Sequence, residues 1–239
     1  MIKITDVTKS FNGQMVLDNV SLEIKQGEIV VILGASGVGK SVLLKHMMGL
    51  VKPDHGTITI NNNEITSQPE KKLLKIRQHI GYLFQEGALY DFMNVSDNIA
   101  FPLCEHTALS KSEIDQKVKD ILRLVGLEGV EKKMPSELSG GMRKRVGLAR
   151  AIILDSHILF CDEPTSGLDP IRSRDISDLI KNISRKIKCT TVITSHDISN
   201  SFRIADRLAL IHNAKIVAFG SEEELRQSTN SFVQEFISV

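Results

Sequence analysis

Apolar residues recur with two periods along this chain, and the changeovers between them predict its elements. Residues 2–7, 20–24 and 57–60 alternate β-branched and polar positions, as strands with one wet face do. Residues 28–33 and 80–84 are instead almost continuously apolar, the pattern of a strand covered on both faces. The spacing from 41 to 48 predicts a helix, and Lys52-Pro53-Asp54-His55-Gly56 a turn after it. Residues 110–125 set Ile114, Val118, Ile121, Leu122 and Val125 on one helical face, and Ser110 with Glu113 has the spacing of a capping box.

Beyond Gly126 a loop through Pro135 reaches Leu138 and a basic helix ending near residue 154. Strand–helix alternation then returns. Strands are expected at 158–161, 190–194, 208–212 and 216–218, and helices at 171–187 and 198–203, with a last helix capped by Ser221 and Glu224. The expected class is α/β: one domain over 1–239, with a core of 1–85 and 156–239 that includes a small antiparallel β layer. A helical subdomain at 86–155 interrupts that core. Residues 231–239 carry Phe232, Val233, Phe236 and Ile237 at helical spacing, a stripe suited to docking on the chain's own domain or to contact with a second copy or a partner.

Composition removes several classes of function. Thirty Lys and Arg against 29 Asp and Glu leave a net charge of +1, so no global field draws nucleic acid or an acidic membrane. Cys104, Cys161 and Cys189 lie far apart with no C-x-x-C spacing, which suits a reduced, cytoplasmic setting rather than a zinc site or a disulfide framework. No apolar run approaches the roughly 20 residues that cross a bilayer, so work at a membrane would need a membrane-embedded partner. The first six residues alternate like a strand and lack the layout of a signal peptide.

Candidate chemistry begins at Gly34, Ala35, Ser36, Gly37, Val38, Gly39, Lys40 and Ser41, which fit G-x-x-x-x-G-K-[ST] between a predicted strand and a predicted helix. Such glycines let successive amides turn inward around phosphate oxygens, helped by the positive end of the following helix. Lys40 would supply a point charge to the outer phosphates, and the Ser41 hydroxyl would ligate Mg²⁺. At 158–163 an apolar strand ends in Asp162 and Glu163. Asp162 would hold Mg²⁺ through water, while Glu163 would act as general base on the attacking water. Leu138-Ser139-Gly140-Gly141-Met142 follows no strand and opens a helix, so Ser139 and the amides of Gly140 and Gly141 form an anion-facing helix start.

Taken in order from Phe11 to His196, these motifs resemble those of the nucleotide-binding subunit of ABC transporters, over nearly the whole chain. The resemblance implies a P-loop NTPase (RecA-like) core with a β layer and an inserted helical subdomain. It implies ATP and Mg²⁺ as cofactors, and two copies that sandwich two ATP molecules. In that arrangement Ser139, Gly140, Gly141 and Met142 of one copy close over the γ-phosphate held by the other. Met142 stands where the family usually has Gln. By the same resemblance Gln85 reaches Mg²⁺ and the attacking water, His196 contacts the γ-phosphate, and Phe11 stacks on adenine with Val16 nearby.

Residues 84–90 and 94–103, together with the Ser-Gly-Gly-Met form of the signature, are similar to the bacterial maintenance-of-lipid-asymmetry branch of the family. This implies a subunit peripheral to the cytoplasmic face of the inner membrane, a permease dimer, an MCE-domain lipid-binding protein and, in some systems, a STAS-domain protein. Leu89, Tyr90, Phe92 and Met93 are candidates to face the permease, with Tyr82 and Phe84 assigned to the core strand. The motifs are shared with ATPases of amino-acid or metal importers and of lipoprotein release, so those cargoes stay open. A soluble ATPase acting on nucleic acid or the ribosome would carry a long coiled-coil insert or two cassettes in one chain, and neither is present.

Overall fold

The computed structural model describes residues 2–238; Met1 and Val239, the extremes of the expected domain and tail, lie outside them. Two compact units emerge: one runs through Arg77 and resumes at Thr190, and the other is Gln78–Cys189.

The first unit opens with a hairpin of β1 (Ile2–Phe11) and β2 (Gln14–Ile24). Asn12 and Gly13, both at positive φ, make its two-residue turn. Both strands outrun the alternating segments that predict them. Register shifts between Ile4 and Val7 and again on to Lys9 and Ser10 break the period of two, so the pattern fades before the pairing does. β3 (Ile29–Leu33) is buried throughout, and α1 (Lys40–Met47) follows it. β4 (His55–Ile60) pairs with β1 and with the short β5 (Asn63–Glu64), giving the order β2-β1-β4-β5. α2 (Glu70–Arg77) has Leu73 as its buried residue, too little apolar periodicity to be legible beforehand. Its hold comes from Arg77, which donates to Met48 O and Gly49 O, each at 2.9 Å, and pairs with Glu70.

In the second unit β6 (Ile80–Leu83) runs parallel to β7 (Ile158–Asp162), with Leu83 opposite Cys161. Between them come α3 (Val95–His106), α4 (Lys111–Leu124) and α5 (Gly140–Ile152), and α6 (Pro170–Lys186) follows β7. The Ser110–Glu113 capping box of α4 is present as expected. α3 is an addition: Asn94 caps it, accepting from Asp97 N–H at 2.9 Å, and it accommodates Pro102. Its fully buried Asn98 accepts from Tyr90 N–H at 2.8 Å and donates to Tyr90 O, Met93 O and Asn94 O, which fixes the aromatic loop ahead of the helix. The strand at 80–84 ends one residue early. Phe84 leaves the core, 45% exposed, with its ring 4.4 Å from that of Tyr82.

The chain re-enters the first unit with β8 (Thr190–Ser195), α7 (Ile198–Ile204), β9 (Arg207–His212), β10 (Lys215–Gly220), α8 (Glu222–Arg226) and α9 (Ser231–Ile237). β3 pairs in parallel with both β8 and β9, and β10 turns back antiparallel on β9. Arg207 pairs with Glu28 and donates to Glu23 O at 2.8 Å, fastening the start of β9 to the start of β3. α9 docks on its own unit: Val233 is buried, and the Phe232 ring stacks on His212 with centroids 3.7 Å apart. No helix among the described residues is long and apolar enough to cross a membrane.

His46, buried on α1, gives the first unit a pH-dependent stability. Its Nδ1 lies 2.7 Å from Val42 O, and its Nε2 is buried with no hydrogen-bond partner among the described residues. Burial pushes the imidazole below its ordinary value, against the opposing pull of the Val42 carbonyl. The unfolded chain therefore binds the proton at a higher pH than the folded one, and stability falls as pH drops through the unfolded value of about 6.5. In urea unfolding below that pH, we expect His46→Met to flatten the slope of stability against pH by up to ~1.4 kcal/mol per unit. Parallel slopes for the two proteins would contradict this.

Candidate functional site

The carboxyl ends of three parallel strands converge in the first unit. Leu33 on β3 lies opposite Ser195 on β8 and Leu210 on β9, so Gly34 and His196 leave their strands level with Ile211 of β9. Ligands of open α/β sheets bind at such strand ends. The loop from Gly34 to Gly39 is hemmed in by main chain on two sides. A Cβ on Gly34 would stand 2.7 Å from Ile211 O, and one on Gly39 would stand 2.8 Å from Val16 O. Gly39 also has φ of +104°, a conformation side chains resist.

α1 starts at Lys40 with no side-chain cap and no acid in its first turn, so its positive end carries no side-chain counter-charge of its own. The Lys40 side chain is buried and folds back over the loop, its Nζ donating to Gly34 O at 2.8 Å and Ala35 O at 2.9 Å. Ala35, Ser36 and Gly37 are exposed, and Val38 and Ser41 are half-buried. His196 is exposed just beyond β8. Val16 abuts Gly39, whereas Phe11 sits at the hairpin end of β1, 40% exposed, with Lys9 Nζ 5.2 Å above its ring.

In the second unit β7 delivers Asp162 as its last residue. Tyr82, on the neighbouring strand, donates its hydroxyl to Asp162 Oδ2 at 3.2 Å. Burial, and after it the charge of Asp162, pushes the tyrosine hydroxyl far above its ordinary range, so it remains a proton donor. Glu163 follows at φ of +44°, a strained setting for a glutamate. The chain then closes a turn, Ser166 N–H donating to Glu163 O at 3.1 Å. Gln85 Nε2 donates to Ser166 Oγ at 3.1 Å, and Lys144 Nζ donates to Ser166 O at 2.5 Å. Asp169 ends the loop by capping α6, accepting from Ile171 N–H and Arg172 N–H, which holds its carboxyl below the ordinary range.

Ser139 is the N-cap of α5, its exposed Oγ accepting from Met142 N–H at 3.3 Å. Arg143 donates to Leu138 O at 2.9 Å and stiffens the approach to the turn. A Cβ on Gly141 would meet nothing within 4 Å, and one on Gly140 would stand 3.6 Å from the Leu168 side chain. The buried Cys161 thiol is pushed well up by burial and stays protonated beside this chemistry.

Within the first unit the structure thus groups Gly34–Ser41 with His196 and Val16. Within the second it groups Gln85, Asp162, Glu163 and the loop that follows. Tyr82 and Lys144 were not foreseen as members. Tyr82 reads as a core residue of its strand, and Lys144 as one more cation on the solvated face of a basic helix.

A family model described as ABC transporter matches residues 17–166, from β2 to the loop after β7. The chain belongs to the ABC transporter family. It is 45% identical over 237 residues to a probable ribonucleotide transport ATP-binding protein, mkl, of Mycobacterium leprae, covering 99% of this chain and 68% of that one. It therefore spans about two thirds of that relative's length. It is 39% identical to the intermembrane phospholipid transport system ATP-binding protein MlaF of Escherichia coli strain K12, over 99% of this chain and 88% of the other. A dimeric ATP-binding cassette in a post-hydrolysis state, bound to ADP and Pi, superposes with a TM-score of 0.85 at 31% identity, covering 92% of this chain and 98% of that one. The fold is accordingly that of an ABC ATPase, a P-loop NTPase core with a β layer and helical insert. The nucleotide such a fold binds is ATP.

The tight seat of Gly39 carries a prediction. An alanine there adds a strain of ~1–2 kcal/mol as well as the close approach to Val16 O. We expect Gly39→Ala to weaken ATP binding by about tenfold or more in a fluorescent-nucleotide titration of folded protein. Unchanged affinity would show that the loop does not need this conformation.

Proposed function

We propose that this chain is the ATP-hydrolysing subunit of a transporter, that two copies sandwich two ATP molecules, and that the cargo is phospholipid. The observation that carries the reading is the conjunction of a buried-lysine phosphate loop with an Asp–Glu pair at a strand end, in a chain of this family. In this reading the amides of Gly34, Ala35, Ser36, Gly37, Val38 and Gly39 surround the phosphates, and Lys40 turns from its loop carbonyls to the outer ones. Phe11 and Val16 bound the adenine.

The donors proposed for a cation are the Ser41 hydroxyl, the Gln85 amide oxygen and the Asp162 carboxylate. All are hard oxygens, and so few of them leave room for phosphate oxygens, which fits Mg²⁺. When bound, the ion neutralises charge developing on the phosphate oxygens. Tyr82 holds one Asp162 oxygen, which orients the carboxylate. Glu163 takes the proton of the attacking water, and His196 contacts the γ-phosphate. Ser139, Gly140, Gly141 and Met142 of the second copy complete the site by presenting the open start of α5. Met142 lacks the amide side chain usual in the family and its N–H already donates to Ser139 Oγ, so γ-phosphate contact falls to Ser139 and the amides of Gly140 and Gly141. Because ATP touches both copies only in the closed pair, its binding shifts the pair toward closure, and hydrolysis releases it.

A loop of the second unit is the proposed permease contact. Phe92 is 77% exposed, and Tyr90 packs beside it. Leu89 and Met93 are half-buried neighbours. Arg150 braces this loop by donating to Gly87 O and Ala88 O at 2.8 Å each, with its guanidinium over the Tyr90 ring. A braced loop with apolar tips suits a surface that must transmit force to a membrane partner at the cytoplasmic face of the inner membrane. An MCE-domain lipid-binding protein and a STAS-domain protein are the further partners of this reading.

Support for phospholipid comes from near full-length similarity to MlaF and from the Ser-Gly-Gly-Met signature. A second reading, a ribonucleotide cargo, is favoured by the name of the mycobacterial relatives. Purifying the complex with its permease in mild detergent and identifying bound material separates the two, and an absence of phospholipid would overturn the first. For hydrolysis itself, Glu163→Gln is expected to lower kcat at least ~100-fold, as loss of a general base does, while ATP still binds. A wild-type rate in that variant would remove Glu163 from the mechanism.

A further inference from the structure

Every polar main-chain and side-chain group of Ser166 is engaged, each by a different part of the second unit. Its N–H donates to Glu163 O at 3.1 Å, its Oγ accepts from Gln85 Nε2 at 3.1 Å, and its carbonyl accepts from Lys144 Nζ at 2.5 Å. Lys144 is the unusual member. It lies on α5 four residues past Gly140, and its side chain is buried, with the residue only 4% exposed. A buried ammonium is costly to desolvate, a cost that an apolar side chain at this position would not carry. The return on the cost is one short charge-assisted bond to the turn that closes on Glu163.

Burial pushes the Lys144 amine below its ordinary range, while Glu86 and then Glu163 pull it back up. Glu163 in turn sits at φ of +44°, and such a conformation persists only where the surroundings over-determine it. Lys144 is a part of those surroundings that comes from the helix whose first turn holds Ser139.

The geometry points to Lys144 as a positioning residue that ties the turn carrying Glu163 to the signature helix α5, so that closure of α5 over a nucleotide and placement of the general base occur together. This rests on the ATPase reading above and deepens it. Lys144 contacts neither nucleotide nor water in this account. It acts through the Ser166 carbonyl, while Gln85 holds the same residue from the end of β6.

The test uses the whole chain with Lys144→Met, which keeps the stem and removes the donor, and Lys144→Arg, which keeps a charged donor. Losing one charge-assisted bond that matters only for placing the base should lower kcat about tenfold or more, with KM for ATP changed less than about twofold. Lys144→Arg should recover much of the loss. Hydrogen exchange at the amides of residues 165–168 should quicken in Lys144→Met while the amides of α5 keep their protection. Should Lys144→Met fail to fold, Lys144→Gln carries the same comparison. A folded variant with wild-type kcat and exchange, or one whose defect lies in KM alone, would overturn the role. Wild type and Glu163→Gln measured alongside separate the two levels. If wild type does not hydrolyse ATP, the ATPase reading falls. If wild type hydrolyses, Glu163→Gln does not and Lys144→Met does normally, only the role of Lys144 falls.

Discussion

Backbone amides can surround a polyanion only where no side chain stands among them, and the first unit is organised around meeting that condition. The turn after β3 passes between the main chain of β2 at Val16 and that of β9 at Ile211, with room at Gly34 and Gly39 for a hydrogen and nothing larger. For the turn to stay in place, its neighbours must be rigid. β3 is buried along its whole length and hydrogen-bonded on both sides, and the pairing of Arg207 with Glu28 fastens the opposite ends of two of these strands. α1 begins with no side-chain cap and no acid in its first turn, so nothing of its own opposes an anion at that end. Lys40 meanwhile has its charge satisfied by two loop carbonyls, an arrangement that keeps a buried ammonium stable until a stronger acceptor arrives.

In the second unit the same demand for rigidity is met by side chains. Asp162 is carried on a buried strand and held by Tyr82, and the strained Glu163 is held by the turn that Ser166 closes. Gln85, just past β6, and Lys144, on α5, meet at Ser166, which makes this single residue a junction between the start of the Tyr90 loop and α5. A transport ATPase has to link nucleotide closure to movement of a membrane partner.

Much of this was legible in the sequence for identifiable reasons. β3 and β7 declare themselves by unbroken apolar runs, the phosphate loop by its glycine spacing, and α4 and α8 by serine–glutamate capping boxes that both form. Where the pattern failed, a polar residue was performing a buried task. α3 begins Val95-Ser96-Asp97-Asn98 and contains Pro102, which reads as a loop, yet Asn98 is fully buried because it satisfies the loop carbonyls before it. α2 is mostly charged and depends on Arg77 rather than on an apolar face. Lys144 looks like a solvated cation because nothing local signals that its amine meets a carbonyl 22 residues away. Such pairings depend on tertiary placement, and no period along the chain encodes them.

In the proposed sandwich, a working ATP site takes its phosphate loop from one copy and its signature turn from another. Mixing two inactive variants tests it most directly. Lys40→Ala disables the loop and Ser139→Glu places a repelling charge at the signature turn, so neither variant alone should hydrolyse ATP. Paired with each other, they retain one site in which both parts are intact. The mixture is expected to hydrolyse ATP well above either variant alone. A mixture as inactive as its components would contradict it and place the whole site within a single chain.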